Sequence, residues 1–165
     1  MKKISILVLC LVFGLCCAEE NKVKMYVEGD FRYIESNGIP KHKTGEFPNR
    51  RNPNAISGQK HKFKIPLKPS KKKSNSRNSN RPEPRMVFAV ALNGVPFEPG
   101  TAETWNGDRS WRYEALTGKL NLGTDSSNAH VQPGGSYHYH GLPKGLVEKL
   151  RKKKKNKNKN KDKTD

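Results

Sequence analysis

The sequence predicts a mainly β fold: a single small domain with irregular loops, a basic disordered insertion and a basic disordered C-terminal tail. Three observations carry this. Apolar, β-prone runs of about six residues recur, with Gly or Pro at nearly every boundary. Two Lys-rich stretches have no apolar face to bury. A chain of 165 residues, 32% hydrophobic, supports one modest core. The 33 Lys and Arg against 15 Asp and Glu give a net charge of +18. This composition excludes a large enzyme, a multi-pass membrane protein and an acidic chain.

The first element is a leader. Lys2 and Lys3 precede a twelve-residue apolar run, Ile4 to Leu15, and Cys16-Cys17-Ala18 supplies small residues for cleavage after Ala18. The run is shorter than the roughly twenty residues that span a bilayer, so residues 1–18 read as a signal peptide. The expected product is secreted and extracellular, with no membrane span after the signal is removed. Cys10, Cys16 and Cys17 all lie in the leader, so the secreted chain has no disulfide framework.

Next come the strands. Lys22 to Val27 and Phe31 to Ser36 flank Glu28-Gly29-Asp30 and predict a hairpin at the start of the domain. Lys62 to Leu67 alternates as a short strand that Pro66 sends to a sheet edge. Met86 to Leu92 is a continuous apolar run, expected to be buried on both faces and to end at Asn93-Gly94. Trp111 to Leu116 and Lys119 to Leu122 flank Thr117-Gly118 as a second hairpin, and Ser136 to His140 is the last strand. Helix is minor; Leu146, Val147 and Leu150 follow Pro143 at helical spacing. The organisation expected is a leader at 1–18, a domain at 19–148 and a tail at 149–165.

The charge is concentrated in two segments. Lys68 to Arg81 holds six basic residues and no acid, and Lys149 to Asp165 holds ten basic and two acidic residues. Like charges repel and nothing offsets the cost of ordering the backbone, so both are expected to be unstructured. Lys71, Lys72 and Lys73, with Arg151, Lys152, Lys153, Lys154 and Lys155, form the polyanion-binding candidates. Nucleic acid is disfavoured as partner, because an exported chain seldom meets it and no base-reading motif accompanies the charge. Acidic polysaccharide, acidic matrix protein or a mineral surface fits better, through a salt-sensitive attraction. The bland alternative is charge that only solubilises the chain.

Histidine supplies the remaining chemistry. In Tyr137-His138-Tyr139-His140, residues two apart on a strand project to one side, so both imidazoles face one way and both phenols the other. Two nitrogen donors then lie within reach of one zinc or copper ion. His130 is the nearest further candidate in sequence, with His42, Asp125 and Glu103 as others. The competing reading has the tyrosines filling the core while the histidines bond to backbone or solvent. His61, between two lysines, reads as solvated. Glu98, Glu103 and Asp108 offer paired carboxylates, with Trp105 and Trp111 as sugar-stacking surfaces. No nucleophile elbow or phosphate loop occurs.

The run Tyr137-His138-Tyr139-His140-Gly141-Leu142-Pro143 resembles the YHYH domain family. The likeness extends through Ser36 to His42, Phe47-Pro48-Asn49, Asn52-Pro53-Asn54, Ala91 to Glu103 and Asn128 to Pro133. It implies an exported or surface domain with His42, His130, His138 and His140 as the metal-ligand cluster. Asn37, Asn93 and Glu103 are implied as groups supporting the ligands or contacting substrate. Family members continue past the motif with more folded sequence, where this chain turns to Lys/Asn repeats. Secreted proteins of mineralised matrices such as shell are similar in joining a modest domain to charged tails. The expectation is a non-enzymatic, cationic matrix-associated protein whose domain binds a transition metal. The alternatives are a secreted metal-dependent enzyme at the histidine cluster and a precursor of cationic antimicrobial peptides.

Overall fold

The computed structural model describes residues 19–70, 87–98 and 100–161. The leader with its cleavage residue Ala18, Lys71, Lys72 and Lys73 of the basic insertion, and residues 162–165 lie outside the described residues. Among those described, nine strands and one helix form a mainly β domain.

The chain opens with the expected hairpin. β1 (Val23–Glu28) pairs antiparallel with β2 (Phe31–Ser36), closing on Glu28 opposite Phe31 across the Gly29-Asp30 turn. Gly29 has φ +55°, a conformation that glycine adopts without the steric cost of a Cβ. β3 (His61–Pro66) pairs with β2 and takes the sheet edge, as its proline requires. The sheet is stitched by a stacked Tyr26–Tyr33 pair with ring centroids 5.2 Å apart. Lys62 and Glu35 bridge its surface at 3.2 Å. His61 is half-buried against Phe63 rather than solvated, and burial lowers its pKa.

The second sheet orders its strands β4-β5-β9-β8. β4 (Ala89–Val90) and β5 (Pro96–Phe97) form a tight antiparallel pair, β9 (Tyr137–Tyr139) runs parallel to β5, and β8 (Ala129–Val131) is antiparallel to β9. Here the apolar run at 86–92 departs from expectation. Only two of its described residues are strand, and Phe88 and Leu92 are 70% and 66% exposed. Burial goes instead to Ala91, Val95, Ala129, Val131, Tyr137, Tyr139 and Leu146, with Phe47, Ile56 and Phe97 packed around them.

The third sheet replaces the hairpin expected around Thr117-Gly118. β6 (Gly100–Trp105) pairs with β7 (Asp108–Glu114) about an Asn106-Gly107 turn. Asn106 and Gly107 take φ 49° and 77°, the two positive values of the primed turns that match strand twist. Asn-Gly outranks Thr-Gly as a hairpin signal for that reason, and residues 119–122 are left without strand structure.

The tail also departs from expectation. α1 (Lys144–Lys161) is continuous through most of the segment expected to be disordered. Its first turn is fixed: Leu146 is buried in the core and the Gly145 N–H donates to Ser127 Oγ at 3.2 Å. An anchored first turn removes the costly nucleation step, and lysine is a good helix former, so propagation can outweigh lysine repulsion.

The two larger sheets meet at Gly94. It has φ +78°, and a Cβ there would run into the Ser36 side chain and Val23. Gly94→Ala therefore combines backbone strain with a clash against a buried strand end, and is expected to cost about 2 kcal/mol or more. Urea denaturation of the purified variant measures this; an unchanged midpoint would show that the two sheets do not press together here.

Candidate metal centre

β9 lies between β5 and β8, and its two-residue period sorts the motif into two environments. Tyr137 and Tyr139 turn into the core, 1% and 0% exposed, while His138 and His140 turn to the opposite side, 2% and 9% exposed. His130 of β8 stands directly across the ladder from His138. The three imidazoles form a near-equilateral triangle, with ring centroids 4.6 to 4.8 Å apart and mutually tilted planes. One donor atom from each lies within 4.8 Å of the others.

Two of the rings are oriented from behind. His130 Nδ1 is 2.9 Å from the Leu122 carbonyl and His138 Nδ1 is 3.3 Å from the Ser136 carbonyl. A carbonyl only accepts, so each Nδ1 carries the proton and Nε2 keeps its lone pair for the cluster. Asn52, 4% exposed, braces this arrangement. It does so through the strand that carries His130: its amide donates to the Val131 carbonyl at 2.9 Å. Asn54 donates to the same carbonyl at 2.9 Å.

Electrostatics favour uncharged rings. Burial is the main cause that lowers the His138 pKa to about 3, and the positive charge that His140 or His130 would carry adds to it. His130 is lowered by burial, opposed by its Leu122 hydrogen bond and by Glu103. A neutral imidazole with a fixed lone pair, as at His130 and His138, is the form in which histidine binds a transition metal.

The triangle forms part of the wall of a cavity of about 440 Å³, which Glu98, Glu103, Gln132 and Arg51 also line. Glu98 is half-buried, accepts a 2.7 Å hydrogen bond from Gln132, and has its pKa raised by burial. Of the acids singled out in the sequence, Glu103 thus stands with the histidines and Asp125 does not.

The other predicted residues belong to the phenol side. His42 is not in the cluster: its Nε2 lies 2.6 Å from the Tyr139 hydroxyl and its ring stacks on that tyrosine. His42 Nδ1 faces the Lys43 carbonyl at 2.9 Å, so the Tyr139 hydroxyl donates to Nε2 while accepting from Asn93 at 2.9 Å. Asp125 takes the Tyr137 hydroxyl at 2.7 Å and the Gly45 N–H at 3.1 Å. Both phenols are consequently held in their neutral form, pushed up chiefly by burial. Asn37 ties down the chain's entry to the domain, accepting from Lys22 N–H and donating to the Glu20 carbonyl. Gly135 admits Ser57 and Gly141 admits Leu116, so the close approach these glycines allow is made by the protein itself.

Asn52 and Asn54 are the supporting residues that the sequence reading did not assign. The signal was the Asn52-Pro53-Asn54 run, whose role depends on a contact nearly eighty residues away.

Fold and site together define a small β domain with a three-imidazole face set back to back with a tyrosine core. The chain belongs to the YHYH protein family, whose match covers residues 62–160. That span contains His130, His138 and His140 and excludes His42. Comparison with the curated proteins and with the solved structures gave no match.

The His138 shift has a stability consequence. The unfolded chain binds a proton at this position near the ordinary pKa of 6.5, and the folded chain only near 3. Stability is therefore full above pH 6.5 and falls as the pH drops toward 3, where the unfolded state takes up more protons. Thermal denaturation of chelator-treated protein at pH 7 and pH 4 should show this loss, and His138→Phe should flatten it. A denaturation temperature independent of pH across that window would refute the assignment.

Proposed function

We propose that the domain holds one transition-metal ion, zinc or copper, on His130, His138 and His140, and that the chain works outside the cell. The observation that carries the reading is the triangle itself: three imidazoles meet on one face, two of them oriented by backbone carbonyls. Zinc–nitrogen bonds of about 2.0–2.1 Å need only a small inward adjustment of the rings. The donor set is all nitrogen, which suits zinc and copper over calcium or magnesium. Bound there, the ion supplies Lewis acidity facing the cavity. The chain's own residues orient two of the rings through the Leu122 and Ser136 carbonyls, hold the His130 strand through Asn52, and favour neutral His130 and His138 by burial.

The domain is one half of the reading. The exposed basic turns of α1, including Arg151, Lys152, Lys153, Lys154 and Lys155, attach the protein to an acidic polymer or mineral of an extracellular matrix, with Lys71, Lys72 and Lys73 contributing. The ion pair seen between Lys62 and Glu35 lies on the first sheet, away from the helix lysines that would meet an outside anion. Each contact is weak and screened by salt, so attachment depends on their number. A second reading, a secreted metal-dependent enzyme, is favoured by the cavity that the histidine face borders. In it Glu98, a carboxyl raised by burial, serves as proton donor or acceptor.

Elemental analysis of protein purified without chelator tests the metal. Near-stoichiometric zinc or copper is expected, lost in His138→Ala plus His140→Ala and retained in His42→Ala; equal loss in the His42 variant would place the ion elsewhere. For attachment, retention on an acidic polymer column is expected to fall steeply with salt and with deletion of residues 149–165. Retention unaffected by that deletion counts against the helix as the anchor.

A further inference from the structure

Two large aromatic rings are exposed where a domain of this size has little apolar surface to spare. Trp105 is 55% and Trp111 66% exposed, and both belong to the β6–β7 hairpin. Tryptophan offers more contact area than other side chains and is normally covered over most of it. The hairpin that carries them is stiff at its tip. Asn106 and Gly107 close it, and Asp108 Oδ1 accepts from the Ser110 N–H at 2.8 Å and from its hydroxyl at 2.7 Å. At its root, Gly100 to Glu103 line the histidine cavity, so the indoles stand on the hairpin that leads out of it.

We propose that Trp105 and Trp111 form a sugar-stacking surface and that the acidic partner of this protein is an anionic polysaccharide. The inference rests on the polyanion reading above and selects among the partners it leaves open. A mineral or polyphosphate offers charge without an apolar face, and gives an indole nothing to cover. A pyranose ring presents a flat patch of C–H groups the size of an indole, and acidic groups elsewhere along the same polymer would meet the lysines of α1. Charge complementarity with a chain of net charge +18 requires the saccharide to be acidic.

These are the two tryptophans of the chain, so intrinsic emission reports on this hairpin alone. The purified chain is titrated with a heparin-derived octasaccharide and, separately, with inorganic polyphosphate of similar charge. The octasaccharide is expected to shift the emission to shorter wavelength and polyphosphate to leave it in place. Trp105→Ala plus Trp111→Ala should weaken octasaccharide binding at least tenfold by calorimetry and leave polyphosphate binding unchanged. The corresponding Phe variants should recover part of the loss, which separates stacking from misfolding. Equal effects of the Ala variants on the two polymers, or none, overturn the inference while the polyanion reading stands. Failure of the intact chain to bind either polymer overturns both.

Discussion

The alternation of Tyr137, His138, Tyr139 and His140 on an internal strand constrains everything around it. An internal strand has neighbours along both edges, and here Tyr137, His138, Tyr139 and the adjoining His140 are all buried, so each must find its partners inside the protein. The phenols solve this by filling the core and passing their hydroxyls to Asp125, Asn93 and His42. The imidazoles cannot use the same solution, because they face away. They are grouped with His130 instead, and their closeness is tolerable only while they carry no charge.

Burial and ligation therefore pull the same way. A histidine exposed to water binds metal in competition with protons near neutral pH, whereas His138 has its pKa depressed to about 3 and is already in the ligating form. The phenol side has no comparable readiness. His42 is engaged with Tyr139 through one nitrogen and the Lys43 carbonyl through the other, which leaves it no lone pair for an ion. The difference between the two sides follows from hydrogen-bond partners and not from distance along the chain.

Much of this was legible in the residues. The hairpin at 23–36, the edge strand with Pro66, and the split of tyrosines from histidines all follow from turn chemistry and period two, which are local. His130 was assigned by proximity in sequence and proved to sit across the ladder from His138. The failures came where long-range packing decides. His42 shares the residue type and the turn-like surroundings of the cluster, yet reaches β9 from its other face. The run at 86–92 reads as a buried strand by composition, but Gly94 turns the chain back after Val90, so only Ala91 of its middle enters the core. Asn106-Gly107 is as readable a turn signal as Thr117-Gly118, and its two positive-φ positions decide between them.

α1 joins the two halves of the molecule. Leu146 belongs to the same core as Tyr137 and Tyr139, and Gly145 packs so closely on His42 and Ser127 that a Cβ would touch both. From Lys149 to Asn158 the helix residues are exposed and, Leu150 apart, all Lys, Arg or Asn. The helix thus converts a rigid contact with the motif strand into a projecting row of positive charge. A flexible tail would spread the same charge over many arrangements and would lose more conformational entropy on meeting a polymer. Holding it in a helix rooted in the core reduces that cost and fixes the direction in which the charge leaves the domain. In the attachment proposed above, the helix would orient the histidine face as well, because both are built on the packing around Tyr137 and Tyr139.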